Sequence, residues 1–543
     1  MRFNVVTILM AAFISAHAGD LKYPVSAIPE ELKKDVDVVL REDHMRFKIT
    51  SKSSAVYYAH EVITIFNEKG SDRAKKIIGY DKHTKITDFN GIVYDANGKQ
   101  IKKLKNSEIY DQSAFDGFSL YSDNRLKVAD LAQATYPYTV EFEYEVKYEF
   151  LYAIPGSYFG GERISTQQAS YQLIFPSELA PRYKVFNMEE VKPINEKLPN
   201  GTESVTWKLE NIKPMNFESY GPSHAELIPH IIAAPSKFEY DGYEGDMSSW
   251  KDYGKWNQLL NQGRNDLPET AKQKVNELTK GLTSTEQRAK AIYEYLQNKT
   301  RYVSIQLGIG GLQPFPASVV DQTGYGDCKA LSNYTVAMLK EAGIKGYYTI
   351  IQAGRQGSNI ITDFPSHQFN HVVVSVPNGR DTLWLECTSQ TNPFGYQGTF
   401  TEDRKALMIS EEGGKLVRTI NYTPEQNLQS RIAFVSLDDK GNAQAKIKST
   451  YQAIQYEEGG LNFKLNQLDE QKKWIEKNTD IPNFNISSFS VKEIKDKIPS
   501  AMVDLDLTLN RYASVSGKRL FVAPNLMNEC HMFPRKSPIG KQM

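Results

Sequence analysis

Three residues of this chain could act together on an amide. Of its three cysteines, Cys328 has the setting most favourable to reaction. It follows Gly324-Tyr325-Gly326-Asp327 and opens a segment with Leu331, Tyr334, Met338 and Leu339 at helical spacing. A thiol at a helix N-terminus feels the positive end of the dipole, which favours the thiolate. The free N–H groups there can also hold an oxyanion. His371 opens a strand-like run, Phe369-Asn370-His371-Val372-Val373-Val374, and Glu386 lies in the next, Trp384-Leu385-Glu386-Cys387-Thr388. Taken singly, a small buried cysteine or a satisfied structural histidine is as good a reading. Taken in order, a thiol, an imidazole that draws its proton and a carboxylate that orients the imidazole make a nucleophilic set.

The elements around them must bring these residues together. The turn Pro377-Asn378-Gly379-Arg380-Asp381 joins the two runs as a hairpin, with His371 and Glu386 opposite or diagonal on one face. Upstream, 268–280 opens with Pro at a helix start, and 284–298 carries Ala289, Ile292, Tyr293 and Leu296 at helical spacing. Thr283 and Glu286 are placed as its capping box. From about 45 to 225 the pattern is strand-like instead. Val140, Phe142, Tyr144, Val146, Tyr148 and Phe150 alternate with charged residues, and Asn97-Gly98 sits in a hairpin turn. Residues 28–44 are expected as one helix. After about 405 strands return, with a hairpin at Asp438–Asn442 and one helix over 463–478.

Composition limits the function classes. The 65 basic and 65 acidic residues cancel, so no basic footprint for nucleic acid exists at the level of the whole chain. At 40% hydrophobic residues the chain is globular rather than disordered. Three cysteines are too few for a disulfide framework, so packed cores must hold 543 residues together. Residues 1–18 read as a secretory signal: Arg2, an apolar stretch from Val5 to Ala16, then Ala16-His17-Ala18 as a cleavage site. That stretch is too short for a transmembrane anchor. The protein is expected to be exported, to the periplasm if the source is Gram-negative and otherwise to the medium. No zinc-like spacing, Walker motif or dinucleotide fingerprint is present, and no cofactor is expected.

The runs GDCKALSNYTVAMLKEAGIK, FNHVVVSV and LWLECTSQTNPFG resemble the core of the transglutaminase-like superfamily, a relative of the papain-like cysteine peptidases. RYVSIQLGIGGLQPFPA and SSWKDYGKWNQLL are similar to bacterial members, which flank the core with β-rich domains. The resemblance implies an α+β multi-domain protein. After the signal come an N-terminal helical segment at 19–44, an antiparallel β-sandwich at 45–230 and a linker at 231–247. The papain-like, transglutaminase-like core then spans 248–405 and a C-terminal β-rich domain 406–543, the last expected to be cut short.

Carried over, Cys328 is the nucleophile, His371 the base and acid, and Glu386 the orienting acid. Relatives usually have Asp in the third place, so here one more methylene must be accommodated. Where relatives often have another Asp, two residues after the cysteine, this chain has Ala330. Gln322, six residues before Cys328, and Gln313 are candidates for an oxyanion donor, and Trp384 for a wall of the site. His367 is expected as a solvated loop residue and Cys387 to face away from Glu386. A Cys387–Cys530 disulfide is open in an oxidising compartment. The expected activity is hydrolysis of a peptide or protein amide, ahead of amine crosslinking, with cell-envelope substrates. The alternative is an idle core serving as a binding or assembly scaffold, which the Glu in third place favours.

Overall fold

The computed structural model describes residues 21–115, 117, 119–218, 221–354, 359–465, 467–525 and 527. The expected signal at 1–18, Cys530 and the chain end lie outside the described residues. No helix among the described residues is long and apolar enough to cross a membrane.

The N-terminal domain is built on an eight-stranded sheet with Ile164–Pro176, Val38–Ser51, Ser54–Ile65 and Tyr138–Tyr148 side by side at its centre. Two three-stranded sheets pack on it. One, of Ile154–Tyr158, His230–Ala234 and Arg182–Phe186, shares a core with Phe47, Tyr171, Leu173 and Trp207. The other, of Lys75–Tyr80, Arg125–Asp130 and Ile109–Ser113, shares one with Val140, Phe142 and Val146. The alternation of 140–150 thus does what its period requires, sending the apolar side chains inward. The hairpin at Asn97-Gly98 forms, with Gly98 at φ 89°.

Two expectations for this domain are corrected. Residues 28–44 are not one helix. A single 3-10 turn, Glu30–Leu32, is followed by a strand that begins at Val38. That strand lies between Ser54–Ile65 and Ile164–Pro176, so ladder bonds on both edges and the β-branched run Val36-Asp37-Val38-Val39 outweigh the helical spacing. The pairing with Ile164–Pro176 is parallel, so the sheet is not purely antiparallel.

The expected linker at 231–247 is ordered and packed. It forms the strands Lys237–Tyr240 and Tyr243–Asp246, with Ile231, Phe238 and Met247 buried. The reason is apolar area: these side chains fill the seam between the N-terminal domain and the helix Trp250–Asn261, where Phe238 stacks edge-on to Trp256 at 5.0 Å.

The core has an antiparallel sheet in the order Asp381–Leu385, His371–Asn378, Tyr347–Ile351, Lys405–Ser410, Gly413–Arg418. Its last two strands lie beyond residue 405, so the core runs to Arg418 and the boundary expected at 405 moves outward. On one face, Val374, Val376, Leu383 and Leu385 pack with Leu331 and Met338 of the helix Cys328–Glu341 and with Val275, Ile292 and Leu296 of two further helices, Glu269–Thr279 and Thr285–Lys299. The second of these is capped one residue later than expected. Ser284 Oγ accepts from Gln287 N at 3.1 Å, and the Gln287 side chain returns to Ser284 N. The C-terminal domain is a four-stranded sheet of Gln429–Leu437, Ala443–Gln452, Ser500–Leu509 and Phe484–Ile494, with the helix Leu468–Lys477 contributing Trp474 and Ile475 to its core.

The helix Trp250–Asn261 lies so close to the strand Gly413–Arg418 that a Cβ at Gly254 would stand 1.9 Å from Gly414 N. Backbone cannot yield as a flexible side chain can. Gly254→Ala should therefore cost more than about 2 kcal/mol, against the helix-propensity gain of about 1 kcal/mol that a Gly-to-Ala change normally brings. Urea unfolding of the pure variant beside the wild type measures it.

Candidate active site

The helix Cys328–Glu341 starts where it does because Asp327 caps it, accepting from Ala330 N at 3.0 Å. Before it, Tyr325-Gly326 pairs with Arg301-Tyr302 in a short parallel ladder. A Cβ at Gly326 would meet that of Ala330 at 2.8 Å, so a small residue at 330 suits this turn. Cys328 thus sits in the first turn, 7% exposed. The neighbouring Asp327 carboxylate forms an ion pair with Lys329, both buried.

His371 begins its strand, paired with Ile351. On the neighbouring strand Leu385 pairs with Val374, so the next position, Glu386, falls diagonal to His371 with the same parity. His371 Nε2 lies 2.9 Å from Glu386 Oε2 and 3.2 Å from Oε1. Glu386 also accepts from Thr388, through N at 3.1 Å and Oγ1 at 2.5 Å. With Nε2 taken by the carboxylate, the remaining ring nitrogen is left for Cys328, which lines the same cavity as His371.

Burial alone pushes the His371 pKa down. The Glu386 charge and the hydrogen bonds to Cys328 and Glu386 outweigh it and raise the value to about 10. Burial pushes the Glu386 carboxyl up, but the His371 charge and the donors on His371 and Thr388 outweigh that and hold it below the usual carboxylate range. An imidazolium at neutral pH beside a thiol is the setting of a thiolate–imidazolium pair.

Cys328 and His371, but not Glu386, sit at a cavity of about 690 Å³, within the size range of ligand sites. Cys328, His371 and Thr388 line it, with Tyr302 and Gln306 from the segment Arg301–Gln306 and Phe400 over the His371 ring at 5.1 Å. Burial, and then the Cys328 charge, push the Tyr302 phenol up to about 12, so it stays a hydrogen-bond donor at neutral pH.

Residues 272–388 match the profile of the transglutaminase-like superfamily, and residues 51–216 that of a domain of unknown function, DUF3857. The central domain belongs to the transglutaminase-like superfamily. Among solved structures, a candidate protease from Parabacteroides distasonis is 14% identical and aligns over 88% of this chain and 94% of its own, at a TM-score of 0.53. That likeness is one of fold. A candidate cysteine protease from Cytophaga hutchinsonii (9% identical, 62% and 77% covered, TM-score 0.15) superposes too loosely to carry an argument. So does the periplasmic domain of TgpA from Pseudomonas aeruginosa (13%, 57% and 94%, 0.18). No curated protein matches the chain. A transglutaminase-like core with a buried Cys–His–Glu chain is the machinery of a cysteine peptidase or acyltransferase.

On this transglutaminase-like core the other expected residues fall as follows. Gln313 is buried, but its amide is spent: Oε1 accepts from Arg264 at 2.7 Å, and Nε2 donates to Leu260 O at 3.0 Å and lies 3.1 Å from Tyr243 Oη. Gln322 is exposed on the helix Ala317–Thr323, and Trp384 packs with Ile351, Val373 and Ala406. None of the three lines the cavity. The glutamine that does is Gln306, two residues along the same strand direction from Ser304; its signal was the RYVSIQ run itself. Cys387 faces the apolar cluster of Leu331 and Leu385, where burial pushes its thiol up to about 12. His367 is exposed on its loop, as expected, and its ring also borders the cavity. Glu386, with its extra methylene, still reaches His371 Nε2 from its diagonal position.

The raised His371 pKa fixes a sign. Its charge stabilises the fold fully below the ordinary value near 6.5, and this contribution is lost as the pH rises through about 10. NMR titration of the His371 ring should give a midpoint near 10. Glu386→Gln, which removes the carboxylate charge, should lower it by more than about one unit, or ~1.4 kcal/mol. An unmoved midpoint would uncouple the two residues.

Proposed function

We propose that this protein is an exported cysteine peptidase or amidase that cleaves amide bonds of peptide or protein substrates in the cell envelope. The observation that carries the reading is the pairing of His371 with Glu386, with His371 and Cys328 lining one cavity. Cys328 Sγ attacks the amide carbonyl carbon while the thiol proton resides on His371. The tetrahedral oxyanion is met by the N–H groups of the helix start and by the Tyr302 phenol or Gln306 amide. His371 then gives its proton to the leaving nitrogen as the C–N bond breaks, leaving a thioester. Water attacks the thioester, its proton passes to His371, and the C–S bond breaks to release the acid and the thiol. Glu386 stays ionised throughout and keeps Nε2 engaged.

An amine could replace water in the second half, giving a crosslink. Water favours hydrolysis by concentration, and the cavity opens to it. The sequence of residues 1–18 supports export, and a periplasmic location in a Gram-negative cell. The chemistry needs no cofactor, and the even charge balance speaks against a nucleic-acid partner.

Incubation of the purified protein with a peptide library, read by mass spectrometry, separates the outcomes. Hydrolysis gives fragments whose masses sum to the parent plus water, deamidation a gain of about one dalton, and crosslinking a sum less ammonia. Fragments are expected. Cys328→Ala should lower the rate by roughly 10³-fold or more, and Glu386→Ala by roughly 10²–10⁴-fold with the fold intact. A wild type that modifies no peptide, and whose thiol reacts no faster than free cysteine, would overturn the reading.

A further inference from the structure

The wall of the cavity opposite the triad comes partly from the N-terminal domain. Tyr152, 5% exposed, follows that domain's strand Tyr138–Tyr148 and reaches across the seam. Its Oη lies 2.6 Å from Tyr253 Oη on the helix Trp250–Asn261 and 2.8 Å from Nδ1 of His367. The Tyr152 and His367 rings are 4.7 Å apart, and both line the cavity with Cys328 and His371. No hydrogen bond to the described residues occupies the other nitrogen of His367, on a ring open to the cavity.

The N-terminal domain also holds the loop that carries His367 into the His371 strand. Arg182 donates to Pro365 O at 2.5 Å, and Lys184 pairs with Asp363 at 2.5 Å. The Arg182 guanidinium lies over the Phe364 ring at 5.2 Å. Three contacts from one domain thus hold three consecutive residues of the other, Asp363, Phe364 and Pro365, just before the imidazole at the cavity.

We infer that the N-terminal domain is a working part of the substrate site: Tyr152 fixes His367 as the uncharged hydrogen-bonding group for the substrate backbone, beside a cavity that takes a large apolar or aromatic side chain. This rests on the peptidase reading above. The His367 pKa is pushed down to about 4, so the ring is neutral, and the apolar side chains beside it make the wall hostile to charge. The rest of the wall agrees, with Tyr348, Ile350, Phe369 and Leu312 facing the same space. Of the cations at the cavity, Lys329 is already paired with Asp327 and His371 with Glu386. A carboxylate or ammonium side chain would lose its water there without gaining a partner. Tyr152 and His367 are positioning and binding residues, not catalytic ones.

The test compares covalent labelling of Cys328 by three thiol reagents, read by mass spectrometry: iodoacetamide, and the chloromethyl ketones of N-acetyl-phenylalanine and N-acetyl-aspartate. Wild-type protein should react with the phenylalanine reagent at least ~10-fold faster than with the aspartate reagent. Tyr152→Phe keeps the ring and removes the hydroxyl, and His367→Gln keeps a neutral polar group. Each should lower the phenylalanine rate by at least ~5-fold while alkylation by iodoacetamide, too small to need the wall, stays within about twofold. Thermal melting confirms that both variants are folded. Equal rates with the two ketones in the wild type, or unchanged phenylalanine rates in both variants, would overturn the inference. A wild-type iodoacetamide rate no greater than that of free cysteine would instead overturn the peptidase reading, while the ratio of the two ketones still reports on the wall.

Discussion

The buried ion pair between His371 and Glu386 is the constraint on which the rest of the site depends. Both side chains are almost fully enclosed, and each charge alone would be strongly unfavourable there. The pair persists because its charges are held by partners: the imidazole Nε2 by the carboxylate, and the carboxylate by the imidazole and Thr388. That satisfaction requires the hairpin register and the turn at Thr388 to be correct together. Tyr293, donating to Glu386 O at 3.1 Å, ties the same turn to the helix Thr285–Lys299. The apolar cluster beneath is therefore more than filler. It sets the distance between helix and sheet, and so the reach of the thiol to the ring.

The same logic extends to the domain seam. The strand Ser304–Gln306, which brings Gln306 to the cavity, pairs in parallel with Ser119–Ser122 of the N-terminal domain. Gly308 N, just beyond it, donates to Asp123 at 3.2 Å. A segment rich in glycine has little to fix it from within its own domain. Here its backbone is ordered from outside, by a strand and a carboxylate of the neighbour. The tightly packed segment 231–247 closes the other side of the seam. The two domains behave as one body around the site rather than as beads on a linker.

Much of this was legible in the sequence, and for definite reasons. The hairpin and helix signals are local, so Cys328, His371 and Glu386 could be assigned to a helix start and two adjacent strands from turn residues and periodicity alone. Parity separated Cys387 from Glu386 correctly, because a strand has only two faces. What failed was non-local. The run at 28–44 has acceptable helical spacing, and only its two partner strands, more than a hundred residues apart, make it a strand. Gln322 stands out by its offset from the cysteine and Gln313 is a second candidate nearby, yet which glutamine meets the cavity is decided by the pairing of Ser304–Gln306 with another domain. Tyr152 and His367 lie 215 residues apart, and no local pattern links them.

The two described cysteines show how completely position decides chemistry. Both are buried and neither is in a disulfide. Cys387 is adjacent in sequence to the acid of the site, but strand alternation turns it into an apolar cluster, where burial holds its proton to about pH 12 and it can only pack. Cys328 is distant in sequence, yet it stands on free helix N–H groups, beside an imidazolium, with the one nearby carboxylate neutralised by Lys329. None of these three features comes from the cysteine itself. Moving the thiol by one residue along either element would lose them all, since the next position in a strand or a first helical turn points elsewhere. The setting of Cys328 is therefore a property of the register of the hairpin and the start of the helix, and the fold around the site serves to hold those two in place.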